Sequence, residues 1–116
     1  MTDRKQALID LRDKVKAGEC YPKDILSVFP HYVGDCGQWA HDAYFHGSLD
    51  AAKALHEAVL PGFDAEVAFA KPSLVTIYQP FDDEWEEISR AESENPARAW
   101  LLAILEALIA QEEQSQ

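Results

Sequence analysis

At 116 residues the chain has room for one domain with one hydrophobic core and too little for two of ordinary size. An apolar fraction of 47% with twelve aromatic residues excludes a disordered, tail-like protein. A formal net charge of −11 excludes direct binding to nucleic acid phosphates or anionic lipid, since association would add repulsion in place of counterion release.

The first predicted element is a helix capped by Thr2, with Leu8, Leu11 and Val15 on one stripe and Gly18 at its end. Tyr21–Phe29 reads as a short helix or turn, with Pro22 at its first position and Pro30 after it. Cys36–His46 carries Cys36, Trp39, Ala40 and Ala43 at helical spacing and stops at Gly47. Ser48 then caps the clearest helix. Its apolar stripe is Leu49, Ala52, Leu55 and Val59, its opposite face holds Asp50, Lys53 and Glu57, and Pro61-Gly62 ends it.

From here the apolar period shortens to two. Phe63, Ala65, Val67 and Phe69 alternate with Asp64, Glu66 and Ala68, the pattern of a strand with one wet face. Lys71-Pro72-Ser73 makes a turn, and the β-branched segment Leu74–Gln79 is the expected partner strand. Two strands alone are marginal in water, so a helix layer, a third strand or a second subunit must complete them. Asn95-Pro96 starts the last helix. Eleven of the twelve residues Ala99–Ala110 are apolar, Glu106 being the exception, and Leu101, Ile104, Leu105 and Leu108 are its expected core. A helix apolar nearly all round is either the centre of the domain or half of a homodimer interface. It is about half as long as the roughly 20 residues that span a bilayer. With no Arg- or Lys-led apolar leader at the N-terminus, a cytoplasmic protein with no membrane partner is expected.

"GSLDAAKALHEAVLPGF" from Gly47 and "NPARAWLLAILEALIA" from Asn95 resemble the small phage proteins of the phage ABA sandwich domain family. The resemblance covers Gly47–Ala110, with Phe63 where Trp is common. It implies a phage or prophage origin and helices flanking a small antiparallel sheet, and it supplies no catalytic residue. The expected fold is therefore α+β: a single domain over 1–116, helices packed on a short antiparallel sheet as a helix–sheet–helix sandwich. Residues 1–46 form an N-terminal helical part, 47–110 the sandwich-like part and 111–116 a polar, fraying tail.

His31, Cys36, His41 and His46 recur every five residues, with Cys20 and His56 further out. Five residues turn a helix by about 500°, leaving neighbours about 140° apart, so no pair shares a helical face, and no metal ligand set is expected. The cysteines read as reduced, structural thiols. Nucleophile motifs, phosphate loops and dinucleotide fingerprints are missing, so no catalytic residue and no cofactor is expected.

The charge is unevenly placed. Up to Leu60 nine acids face seven bases, whereas from Pro61 on twelve acids face only Lys71, Arg90 and Arg98. The densest stretch is Asp82-Asp83-Glu84-Trp85-Glu86-Glu87, extended by Glu92 and Glu94. Six extended residues span roughly 20 Å, so five acids give one charge per about 4 Å, near the one per about 3.4 Å of a DNA strand. Trp85 supplies the aromatic anchor common at interface hot spots. Together with the phage resemblance, this points to an accessory protein of the host bacterial cytoplasm that binds the basic surface of a host nucleic-acid-binding protein without catalysis. A CRISPR effector is one such partner, which would make the chain an anti-CRISPR or DNA-mimic inhibitor. The alternatives are a phage structural or assembly helper and, third, a small metal-dependent enzyme.

Overall fold

The computed structural model describes residues 4–18, 25 and 35–114. Their elements are helix α1 (Arg4–Ala17), α2 (Cys36–Phe45), α3 (Leu49–Val59), strands β1 (Asp64–Ala68), β2 (Ser73–Phe81) and β3 (Glu84–Ser93), and helix α4 (Pro96–Gln114). The strands form one antiparallel sheet in the order β1-β2-β3. The chain thus adopts the expected α+β class, helices on a short antiparallel sheet, and the missing partner of the β1–β2 hairpin is a third strand. The expected cap at Thr2 and the short helix or turn over Tyr21–Phe29 lie outside the described residues, apart from Ile25, which is helical and buried.

Local chemistry explains where the elements begin. Ser48 Oγ accepts a hydrogen bond from the Ala51 N–H at 3.1 Å and caps α3. Asn95 Oδ1 accepts from the Ala97 and Arg98 N–H groups at 2.9 and 3.1 Å and caps α4, with Pro96 at its first position. In β1, Ala65 and Val67 turn toward the core while Asp64, Glu66 and Ala68 face water, as the alternation required.

The layers lie in the order sheet, α4, then α1 with α2 and α3, so that α4 and not the sheet is the middle layer. α4 packs along β3 and β2 on one side and against the other helices on the rest of its surface. This is why its apolar residues run all round: Leu101, Ile104, Leu105 and Leu108 are all buried, and so are Leu102, Ala103 and Ile109. Their burial is completed within one chain and calls for no second copy. Glu106, the one charged residue of the run, accepts a hydrogen bond from Arg12 Nη1 of α1 at 3.0 Å. One core cluster joins Leu8, Leu11 and Val15 of α1 to Leu55 of α3, Val75 and Ile77 of β2 and the α4 residues, so the described residues of 1–46 share a single interior with 47–110.

Polar side chains fasten the layers. Ser89 Oγ donates to the Ala103 carbonyl at 2.8 Å, tying β3 to α4 in the interior. Trp100 Nε1, which can only donate, bonds to His56 Nδ1 at 3.3 Å, so His56 carries its proton on Nε2 and gives it to the Phe63 carbonyl at 2.8 Å. Arg98 lies over the Tyr44 ring at 4.4 Å and donates to the Tyr44 carbonyl at 3.3 Å, holding the start of α4 to the end of α2. The polar tail differs from expectation. The helix continues to Gln114, and Arg4 and Lys5 of α1 pair with Glu112 and Glu113 in its last turns at 3.4 and 3.6 Å.

Candidate functional site

The acidic stretch Asp82–Glu87 is a turn followed by a strand, and not one continuous extended track. Phe81 pairs with Glu84, leaving Asp82 and Asp83 as a two-residue hairpin turn. Asp82 takes φ = 54°, a left-handed conformation that Asp tolerates better than most residues. Its neighbours then follow the β period. Glu84 and Glu86 stand opposite Phe81 and Gln79, whereas Trp85 and Glu87 stand opposite Pro80 and Tyr78 on the reverse face. The five acids of the run therefore divide between the turn and both faces of a hairpin. Same-face neighbours on the strand lie about 7 Å apart.

A bulge between Ile77 and Tyr78 on β2 and Glu87 and Ser89 on β3 keeps this hairpin in register with the rest of the sheet. The extra residue, Ile88, packs against the core. Beyond the bulge all residues 80–87 are exposed. Phe81 and Trp85 are 61% and 56% exposed, so Trp85 does not pin the hairpin to the core. Gln79 Nε2 on β2 donates across the hairpin to Glu86 at 3.2 Å, and Arg90 Nη2 donates to Glu87 along β3 at 2.8 Å.

The sheet face turned away from α4 carries Asp64 and Glu66 on β1, Leu74, Thr76, Tyr78 and Pro80 on β2, and Trp85, Glu87, Arg90 and Glu92 on β3. Glu92 thus lies on the same face as Glu87, while Glu94 follows the strand and is exposed. Residues 64–94 contain nine acids against Lys71 and Arg90. Most of the chain's net negative charge, −7 of −11, therefore sits on the sheet and its turns. Arg90 is held by Glu87, which raises its already high pKa, so it stays a cation inside an acidic field.

One group escaped the sequence reading. His41, Asp42 and His46 offer ligand atoms that all lie within 4.8 Å of one another at the C-terminal end of α2. The pairwise rule leaves out Asp42, which stands between the two histidines, one position after His41 and four before His46, so that three side chains span the gap that no pair closes. His46 is its C-cap with φ = −113°, Gly47 turns left-handed at φ = 62°, and the Asp42 carbonyl accepts from both the His46 and Ser48 N–H groups at 3.0 and 3.2 Å. The signal that could have found it was Gly47 directly after the second histidine. Cys36 is buried 5 to 10 positions before these groups and takes no part in the cluster; burial pushes its thiol up and keeps it protonated.

No cavity is needed to describe this surface: the sheet and hairpin form an open, electronegative wall with two exposed aromatics at its tip. Comparison with protein-family models, with curated proteins and with solved structures finds no match for this chain, so its function must be argued from this geometry.

Proposed function

We propose that this chain is a non-catalytic binding protein whose acidic sheet face and β2–β3 hairpin occupy a basic, nucleic-acid-binding surface of another protein. The observation that carries the reading is the hairpin itself, which holds Asp82, Asp83, Glu84, Glu86 and Glu87 beside exposed Trp85 and Phe81. Carboxylates about 7 Å apart on each face of a strand meet Lys and Arg side chains that otherwise hold phosphates. Trp85, on the sheet face turned away from α4, supplies the desolvated centre such an interface needs. A folded strand also presents the charges already fixed in position, which lowers the entropic cost of binding relative to a flexible acidic tail. In this reading the chain is a phage-encoded accessory protein acting in the host cytoplasm on a nucleic-acid-binding defence complex, with a CRISPR effector as one candidate.

The test begins with the purified protein immobilised and exposed to bacterial lysate, washed at low and high salt. A captured basic protein is then offered its nucleic acid in competition. Mimicry requires displacement of one by the other, with affinity falling as salt rises. The triple change of Asp83, Glu84 and Glu86 to Lys should abolish capture while the melting temperature stays nearly constant. Trp85→Ala should speed dissociation and leave the salt dependence unchanged. A ternary complex containing partner, nucleic acid and this protein would refute the reading.

A further inference from the structure

We propose that His41, Asp42 and His46 form a binding site for a divalent transition metal ion at the corner between α2 and α3. The donor set is two imidazole nitrogens and one carboxylate oxygen, a combination suited to zinc, nickel, copper or ferrous iron and poorly suited to magnesium or calcium, which require oxygen ligands. The inference is independent of the acidic hairpin.

The site is built by the backbone and does not arise from a chance meeting of long side chains. Both histidines are short, two-torsion side chains, and their backbone positions are tied together through Asp42. The Asp42 carbonyl accepts the last helical bond, from the His46 N–H, and a second from the Ser48 N–H, which folds the chain back at Gly47 and ends the helix on His46. Gly47 makes that reversal possible, and it packs so tightly against α4 that a Cβ there would lie 2.6 Å from Asn95 Nδ2. Asn95 is itself fixed by capping α4. The cluster therefore hangs from a rigid three-way junction of α2, α3 and α4.

Within the cluster the rings of His41 and His46 lie 5.6 Å apart, edge to face, and Phe45 flanks His41 at 4.8 Å. His41 Nδ1 stands 3.4 Å from Asp42 Oδ1, which also accepts from Gln38 Nε2 at 3.0 Å. Gln38 is thus placed to orient the carboxylate as an outer partner, the role that hydrogen-bonded neighbours play around metal ligands. Ligand atoms about 2.1 Å from a tetrahedral ion stand about 3.4 Å apart. The present spread, within 4.8 Å, closes to that distance by small rotations, and the site is open to solvent on the His46 side. Three protein ligands leave a fourth position for water or for a donor from a second molecule. The net charge of −11 raises the local concentration of any cation.

The test is isothermal titration of the intact protein with zinc chloride in a non-chelating buffer, alongside magnesium chloride. One zinc ion per chain should bind, magnesium should give no saturable heat, and His41→Ala and His46→Ala should each weaken zinc binding at least tenfold, with circular dichroism confirming that both variants fold. Cobalt(II) gives a second readout: ligand-field bands of the bound ion should appear with the wild type and be lost in either variant. Absence of saturable zinc binding overturns the proposal. So does zinc binding or a cobalt spectrum that survives in the His41→Ala/His46→Ala double variant, because the metal would then be held elsewhere.

Discussion

Leu105 lies in the middle of the middle layer and is fully buried, which makes Leu105→Ala the sharpest test of how this domain is held together. The substitution removes three carbons from an interior contacted from both sides. At about 0.8 kcal/mol per buried carbon the lost transfer energy is about 2.4 kcal/mol. The cavity left between sheet and helices adds to this, and the total belongs in the range of about 2–5 kcal/mol found for such truncations. For 116 residues, an unfolding entropy of about 2.1 cal/mol/K per residue gives about 0.24 kcal/mol/K for the chain. A loss of about 3 kcal/mol therefore lowers the melting temperature by about 12 °C. Urea titration followed by far-ultraviolet circular dichroism should show the midpoint falling with an unchanged slope, since the surface exposed on unfolding is the same. A loss under about 1 kcal/mol at unchanged slope would mean that the α4 interior collapses freely around the deletion, and that the layers are not jointly braced by this helix.

Three further outcomes follow from particular contacts. Gly47→Ala should cost about 1–3 kcal/mol in a thermal melt, because it combines left-handed strain with displacement of the Asn95 cap, and it should also weaken zinc binding by moving His46. Replacing Glu84 and Glu86 with Lys should change stability by no more than about 0.5 kcal/mol in a urea titration, since both are exposed. Cys36 should resist alkylation in the native protein, read by peptide mass spectrometry, and react once urea unfolds it. Its raised pKa also sets a sign: the folded thiol stays protonated where the unfolded one ionises, so the contribution to stability is full below the ordinary thiol pKa and is lost as pH rises through the native one.

Helix ends were the most legible part of the chain, because a capping side chain and its helix are neighbours in sequence. Ser48 and Asn95 announce α3 and α4, and both make the hydrogen bonds their type implies. The alternation of β1 was legible for the same reason. The third strand was not. Its turn, Asp82-Asp83, lacks the Gly or Asn that marks a two-residue hairpin, and its first residues are acids that read as solvated chain. The bulge at Ile88 then shifts the alternation by one, and the inward residue Ser89 is polar, justified only by the Ala103 carbonyl across the layer. The acids of the candidate site were found, yet their division between a turn and two faces depends on that hidden strand. The His41–Asp42–His46 cluster was hidden by a different cause: the spacing rule compared histidines with one another, whereas Asp42 lies between them, four positions before His46.

The pairing of α1 with α4 has a consequence for how the protein is made. Arg12 and Glu106 are separated by 94 positions, and among the described elements α1 packs chiefly on α4, the last of them. During synthesis at about 5–20 residues per second, the first helix leaves the ribosome about 5–20 s before α4 exists to receive it. Leu8, Leu11 and Val15 must wait in water or on a chaperone through that interval. Assembly of the interior is thus a late, nearly simultaneous event, gated by the appearance of a single segment. A stall during translation anywhere before Ala99 would leave every other element without its centre.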